Sequence, residues 1–266
     1  MFNDTNQSDK TGKTTLNTQN DLIRDPALAL SLLTRLPIKI EETEYERAAQ
    51  AAWAYPVVGI VTGTLACISA GVALMLGLPL WCAAIFAIAI PIVATGAMHE
   101  DGLADCADGF WGGWDPAMRL KIMKDSQIGT YGVLALLMTQ TLRFGAILEI
   151  LRMDNWIIPL IAVHVASRAL MPFLMSSLPH ARETGLSHSV GKISRKTAQQ
   201  AACIGVIALL IGFALYGLAL AAIGALATYV VARIAKVKVG GQTGDVCGAS
   251  QQVTEIALLL ALLASY

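Results

Sequence analysis

The stretch VVGIVTGTLACISAGVALMLGLPLWCAAIFAIAIPIVATGAM, residues 57–98, decides the fold because it contains no charged residue. A helix that crosses a bilayer needs about 20 mainly apolar residues. Two such segments fit here, 57–76 and 80–98, joined by Gly77-Leu78-Pro79 as a tight hairpin. Pro91 inside the second predicts a kink, since proline removes a helical hydrogen bond. The composition agrees: 55% of residues are hydrophobic and 14% charged, with a mean hydropathy of +0.59. Too few charges are present to cover a soluble domain of this length.

Working outward, residues 131–151 form a third span holding Arg143 and Glu149, and residues 156–175 a fourth holding His164 and Arg168. Residues 201–234 are one apolar run. As a single helix it would reach about 50 Å, against a hydrocarbon core of about 30 Å. Two spans broken near Tyr216-Gly217 are therefore expected. Residues 253–265, with Glu255, are a short last span. The expected fold is all-α: a polytopic integral membrane helical bundle of about seven transmembrane helices, six to eight.

Residues 1–21 are rich in Asn, Thr, Gln, Asp and Lys and are expected to be a disordered tail, not a signal peptide. Residues 22–266 then make one membrane-embedded domain. Its opening stretch, LIRDPALALSLLTRLPI (22–38), is too charged and too short to span. It reads as an interfacial amphipathic helix started by Asp25-Pro26. The loops 99–130, 176–200 and 235–252 and the segment before the first span carry most of the Lys and Arg. The opposite connections carry only Arg152, so the larger loops are expected on the cytoplasmic side. The 19 basic residues are matched by 19 acidic ones, which argues against a nucleic-acid partner. The five cysteines form no CxxC pair and read as free thiols.

The densest polar cluster is His99-Glu100-Asp101-Gly102-Leu103-Ala104-Asp105-Cys106-Ala107-Asp108-Gly109. Asp101, Asp105 and Asp108 are spaced i, i+4, i+7, which puts three carboxylates on one helix face. They repel one another unless a cation sits between them, and Mg²⁺ prefers such oxygens together with substrate phosphates. A solvated helix face is the bland alternative. A second cluster is Met123-Lys124-Asp125-Ser126-Gln127-Ile128-Gly129-Thr130-Tyr131-Gly132, which alone reads as a capped connection. A third is Gly240-Gly241-Gln242-Thr243-Gly244-Asp245, whose glycines would let backbone amides approach an anion. Gly191-Lys192 fails as a P-loop, because Leu186 and Ile193 stand where Gly and Ser or Thr are required. His164 and Arg168 share a face that should turn inward. No HxxxH or HExxH occurs, so zinc is not expected.

The stretches LLTRLP, HEDGLADCADGFWGG, IMKDSQIGTYG and GGQTGDVCGASQQ closely resemble those of the cobalamin synthases, the adenosylcobinamide-GDP ribazoletransferases. The resemblance runs from about Leu22 to the C-terminus. It implies an integral enzyme of the bacterial or archaeal cytoplasmic (inner) membrane. The implied reaction joins adenosylcobinamide-GDP to α-ribazole, or its 5′-phosphate, and releases GMP, with Mg²⁺ as cofactor. On the match, Asp101, Asp105, Asp108 and Asp245 are the expected metal ligands, with Asp105, Asp108, Asp245 and Lys124 catalytic. His99, Asp125, Arg168, Lys192, Gly241, Gln242, Thr243 and Gly244 are the expected substrate contacts. The layout is also analogous to that of CDP-alcohol phosphotransferases, but Asp101-Gly102 is followed by Leu103-Ala104-Asp105, not their DG-x-x-AR. A transporter is disfavoured, since no inverted repeat is evident and the acids gather on one side. Gly63, Gly71, Gly205 and Gly212 permit close helix packing within or between subunits. That leaves a homo-oligomer, or contact with other cobalamin-assembly enzymes, as an open expectation.

Overall fold

The computed structural model describes residues 18–265, with side chains from residue 23 onward. The expected polar tail lies outside the described residues as far as residue 17. Helix α1 is Thr18–Leu33, and two 3₁₀ turns flank the short α2, Ala48–Ala51. Then follow α3 (Tyr55–Met75), α4 (Leu80–Thr95), α5 (Met98–Gly112) and α6 (Pro116–Ile122). Next come α7 (Thr130–Ile150), α8 (Ile157–Ala169), α9 (Met171–Ser177) and α10 (Leu186–Val190). The chain ends with α11 (Arg195–Phe213), α12 (Tyr216–Val239) and α13 (Gly244–Leu263). Among the described residues there is no strand, only an isolated bridge between His180 and Gln242.

Six helical stretches are long and apolar enough to cross a membrane, and the bent pair α4–α5 makes a seventh. The run 201–234 does divide, after Phe213. Both halves reach spanning length by extending into polar flanks. The Ser194 hydroxyl accepts from the Thr197 amide at the start of α11, and α12 continues through Lys236 and Lys238. The last span begins at Gly244 and not near 253. Residues 244–252 are small or polar, so hydropathy hides them, yet they are helical and almost all buried.

The interfacial reading of helix 22–38 is not supported: Leu28, Ala29, Leu32 and Leu33 of α1 are buried in the protein core with Tyr55, Val58 and Val246. Nor does Asp25-Pro26 begin it, since Pro26 lies inside the helix. The Asp25 carboxylate instead accepts from Arg47 at 3.2 Å and from the Trp53 indole at 2.8 Å. Pro91 lies inside a continuous α4. The chain bends by 87° at the junction with α5, where Gly96 and Ala97 both take left-handed conformations, with φ of 64° and 57°.

Because successive spans alternate in direction, the connections 76–79, 151–156 and 214–215 share one end of the bundle. The acidic helix α5, the loop 178–194 and the start of α13 share the other. The span formed by α8 and α9 and that formed by α13 are each 72% buried against 22% for α7, so these two form the centre. Gly63 packs α3 against Ile161 and His164, and Gly205 and Gly212 pack α11 against α8, within this one chain. Between the two ends lies a charged network, buried and balanced. Arg143 meets Glu100 at 3.0 Å and Glu255 at 2.8 Å. Gln252 donates to Glu100 at 3.0 Å, Gln251 donates to Glu255 at 2.6 Å, and Arg168 stands 3.8 Å from Glu255.

Candidate active site

Helix α5 crosses α13 at very short range. A Cβ on Gly102 would come within 2.7 Å of the Asp245 carbonyl oxygen, and one on Gly248 within 3.1 Å of the His99 Cα. At Gly248 a side chain would be tight, and at Gly102 only hydrogen allows the approach. It brings Asp101 and Asp245 to the rim of one cavity, with Asp105 alongside. Asp105 is half-buried and feels the negative charges of Asp245, Asp101 and Asp108, relieved in part by Arg182. Neither Asp101 nor Asp105 has a hydrogen-bond partner among the described residues.

The third member of the acidic series does something else. Asp108 Oδ2 accepts from the Gly129 amide at 2.7 Å and Oδ1 from the Gly132 amide at 2.8 Å. Its carboxylate closes the N-terminus of α7, where amides lack helical partners and favour negative charge. Asp108 is therefore already held by two backbone amides, unlike Asp101 and Asp105.

The glycine-rich segment 240–245 is ordered by its own side chains. Thr243 accepts from the Val246 amide at 3.2 Å and caps α13. Gln242 is buried, takes a hydrogen bond from the Ser187 hydroxyl and donates to His180 Nδ1 at 2.9 Å. Its backbone pairs with Pro179 and Ala181. Gly241 lies so close to the Pro179 carbonyl that a Cβ would approach it to 2.2 Å. Gly241, Gln242 and Thr243 thus hold the loop 179–187 in place. Gly244 has open space around it and lines the cavity. His180 stands 5.2 Å from the His188 ring, and burial together with that neighbour holds its pKa below 6.5.

The loop so anchored supplies Arg182, which pairs with Asp245 at the cavity rim. Asp245 also accepts from the Thr243 hydroxyl at 3.2 Å. Lys124 reaches the rim through Thr184, to which it donates at 3.3 Å. Asp125 accepts from the Gln127 amide in a local turn, and Lys192 does not line the cavity. Arg168 is buried beneath it with His164, 3.3 Å away, and Glu255. His99 is brought to the cavity wall. Tyr55, Arg182 and Ser187 were not singled out by any motif: each stands alone in sequence and reaches the site only through the fold.

Among the described residues, no group of three His, Cys, Asp or Glu side chains could hold a metal ion as it stands. Mg²⁺ rarely uses such a cage; it takes one or two carboxylates, several waters and substrate phosphate. Asp101 on the cavity wall and Asp105 beside it, both crowded by Asp245, are a hard-oxygen donor set of that kind.

The family model described as cobalamin-5-phosphate synthase matches residues 25–263. A protein of Mesorhizobium japonicum named adenosylcobinamide-GDP ribazoletransferase is 40% identical over 247 residues, covering 90% of this chain and 92% of that protein. One of Bradyrhizobium diazoefficiens with the same name is 40% identical, covering 91% and 94%. One of Brucella ovis, again so named, is 37% identical, covering 92% and 98%. No solved structure matches.

Proposed function

The chain belongs to the cobalamin-5-phosphate synthase family, and on that premise we propose that it joins adenosylcobinamide-GDP to α-ribazole or its 5′-phosphate and releases GMP. A ribazole hydroxyl oxygen bonds to the corrinoid-linked phosphorus. The bond from that phosphorus to the GMP oxygen breaks, and the hydroxyl proton passes to a carboxylate. The observation that carries this reading is the carboxylate cluster: Asp101 and Asp245 line one cavity, and Asp105 stands within reach of their charges. Phosphoryl transfer asks a protein mainly for positioning and charge neutralisation.

Asp101 and Asp105, with Asp245, would hold Mg²⁺ against the pyrophosphate. When bound, the ion would offset the charge that develops as GMP leaves. Arg182 is placed to turn from Asp245 toward phosphate, and Lys124 extends the basic edge of the rim. Asp105, half-buried among like charges, is the carboxylate best suited to take the hydroxyl proton. The basic residues of the loops at this end favour the cytoplasmic face of the inner membrane.

The test uses protein purified in lipid nanodiscs, supplied with adenosylcobinamide-GDP, α-ribazole and Mg²⁺, with GMP followed by chromatography. Equimolar GMP and corrinoid product, abolished by EDTA and restored by Mg²⁺, is expected. Absence of product from folded protein would sink the assignment. A phosphatidyltransferase would instead incorporate a labelled lipid head group.

A further inference from the structure

Below its charged rim the cavity changes character. Its volume is about 160 Å³. Its inner wall is built from Leu33, Met98, Met171, Met175 and Val190. Two polar side chains interrupt this wall, His99 at 1% exposure and Tyr55 at 2%. Among the described residues, His99 Nε2 is buried without a hydrogen-bond partner, and the Tyr55 hydroxyl makes no hydrogen bond. A buried polar group left unpaired costs about 1–3 kcal/mol, and nearly all such groups in folded proteins are satisfied. The unpaired His99 Nε2 and the Tyr55 hydroxyl on one mostly apolar cavity suit a ligand that is itself mostly apolar yet carries polar ring atoms.

The geometry points to the inner cavity as the seat of the ribazole base: a flat, apolar, bicyclic aromatic heterocycle with a ring-nitrogen acceptor. This rests on the ribazoletransferase reading and says which substrate lies where. The methionines supply polarisable contacts to the ring faces. His99 and Tyr55 supply donors to the ring edge. The ribose then falls at the rim, its hydroxyl beside Asp101 and Asp105, while the bulky corrinoid stays outside and presents only its pyrophosphate.

Binding of radiolabelled α-ribazole alone, without corrinoid or Mg²⁺, is measured by equilibrium dialysis on nanodisc-held protein. KM values for both substrates are taken alongside, for wild type and for Tyr55→Phe, His99→Gln and Met175→Trp. Tyr55→Phe, which preserves packing, is expected to weaken ribazole binding by about three- to tenfold, the worth of one neutral hydrogen bond. Met175→Trp, which fills the cavity, should abolish it. The KM for adenosylcobinamide-GDP should stay within about twofold, which a merely structural defect would not achieve. Unchanged ribazole affinity in both Tyr55→Phe and Met175→Trp, with wild type active, would overturn the base site and leave the function standing. A rise in the corrinoid KM instead would assign the cavity to the other substrate. Wild type that makes no product would remove both readings together.

Discussion

Asp108 grips Gly129: its Oδ2 takes the Gly129 amide hydrogen at 2.7 Å, while Oδ1 takes that of Gly132. One carboxylate of the acidic helix thus ties α5 to the first turn of α7, leaving the other two for chemistry. The two kinds of aspartate should separate cleanly under mutation. Asp108→Ala strands two backbone donors and should cost about 1–3 kcal/mol of stability, read as a lowered unfolding temperature in detergent. Asp105→Asn should leave that temperature unchanged and lower GMP release by about 100-fold, the scale of losing one catalytic proton acceptor. Equal effects of the two substitutions on both readouts would refute the division of labour.

Arg143 is buried at 2% exposure between Glu100 and Glu255. Removing one partner from a buried pair leaves an uncompensated charge. Arg143→Ala should therefore destabilise the protein by about 3–5 kcal/mol. Arg143→Lys keeps the charge but cannot reach both acids and should fall between. Chemical denaturation monitored by tryptophan fluorescence checks the order.

Ala214 joins α11 to α12 with φ of 50° and ψ of −136°, a conformation in which a Cβ is strained. Ala214→Gly should raise stability by about 1 kcal/mol. A lowered unfolding temperature would mean that the strain is absent.

His180 Nδ1 accepts from Gln242, so the contact requires the unprotonated ring nitrogen. Its folded pKa lies below the ordinary 6.5, so the unfolded chain binds the proton more readily. The contribution is complete above pH 6.5 and is lost as pH falls from there toward the folded pKa. Limited proteolysis of the loop 178–194 should accelerate over that window. His180→Gln, which cannot take up the proton, should cleave at a rate independent of pH there.

Much of the architecture is legible in the sequence because hydropathy and length are strong signals. The hairpin of α3 and α4, the split of 201–234 and the inward face of His164 and Arg168 all follow from them. Other features are not. Spacing i, i+7 places Asp101 and Asp108 on one face, but it also separates them by about 10.5 Å along the axis. Angular agreement is thus no guarantee of a shared ion, and Asp108 serves α7 instead. The start of α13 is invisible to hydropathy because Gly244–Gln252 are small or polar, although the protein buries nearly all of them. The loop residues Arg182 and Ser187 become site components only because Gln242, 60 and 55 positions away, pins their loop.

The charge network between Arg143, Arg168, Glu100 and Glu255 also bears on how the protein enters the membrane. Glu255 sits midway along α13, and an isolated helix carrying it would meet lipid with an ionised acid. Its neutralising arginines lie on α7 and α8, which leave the ribosome earlier. The last helix is therefore one that a partly assembled bundle must receive, not one that lipid would accept by itself. Arg143 and Arg168 act as its docking address during biogenesis, and insertion and tertiary folding of this segment become a single event.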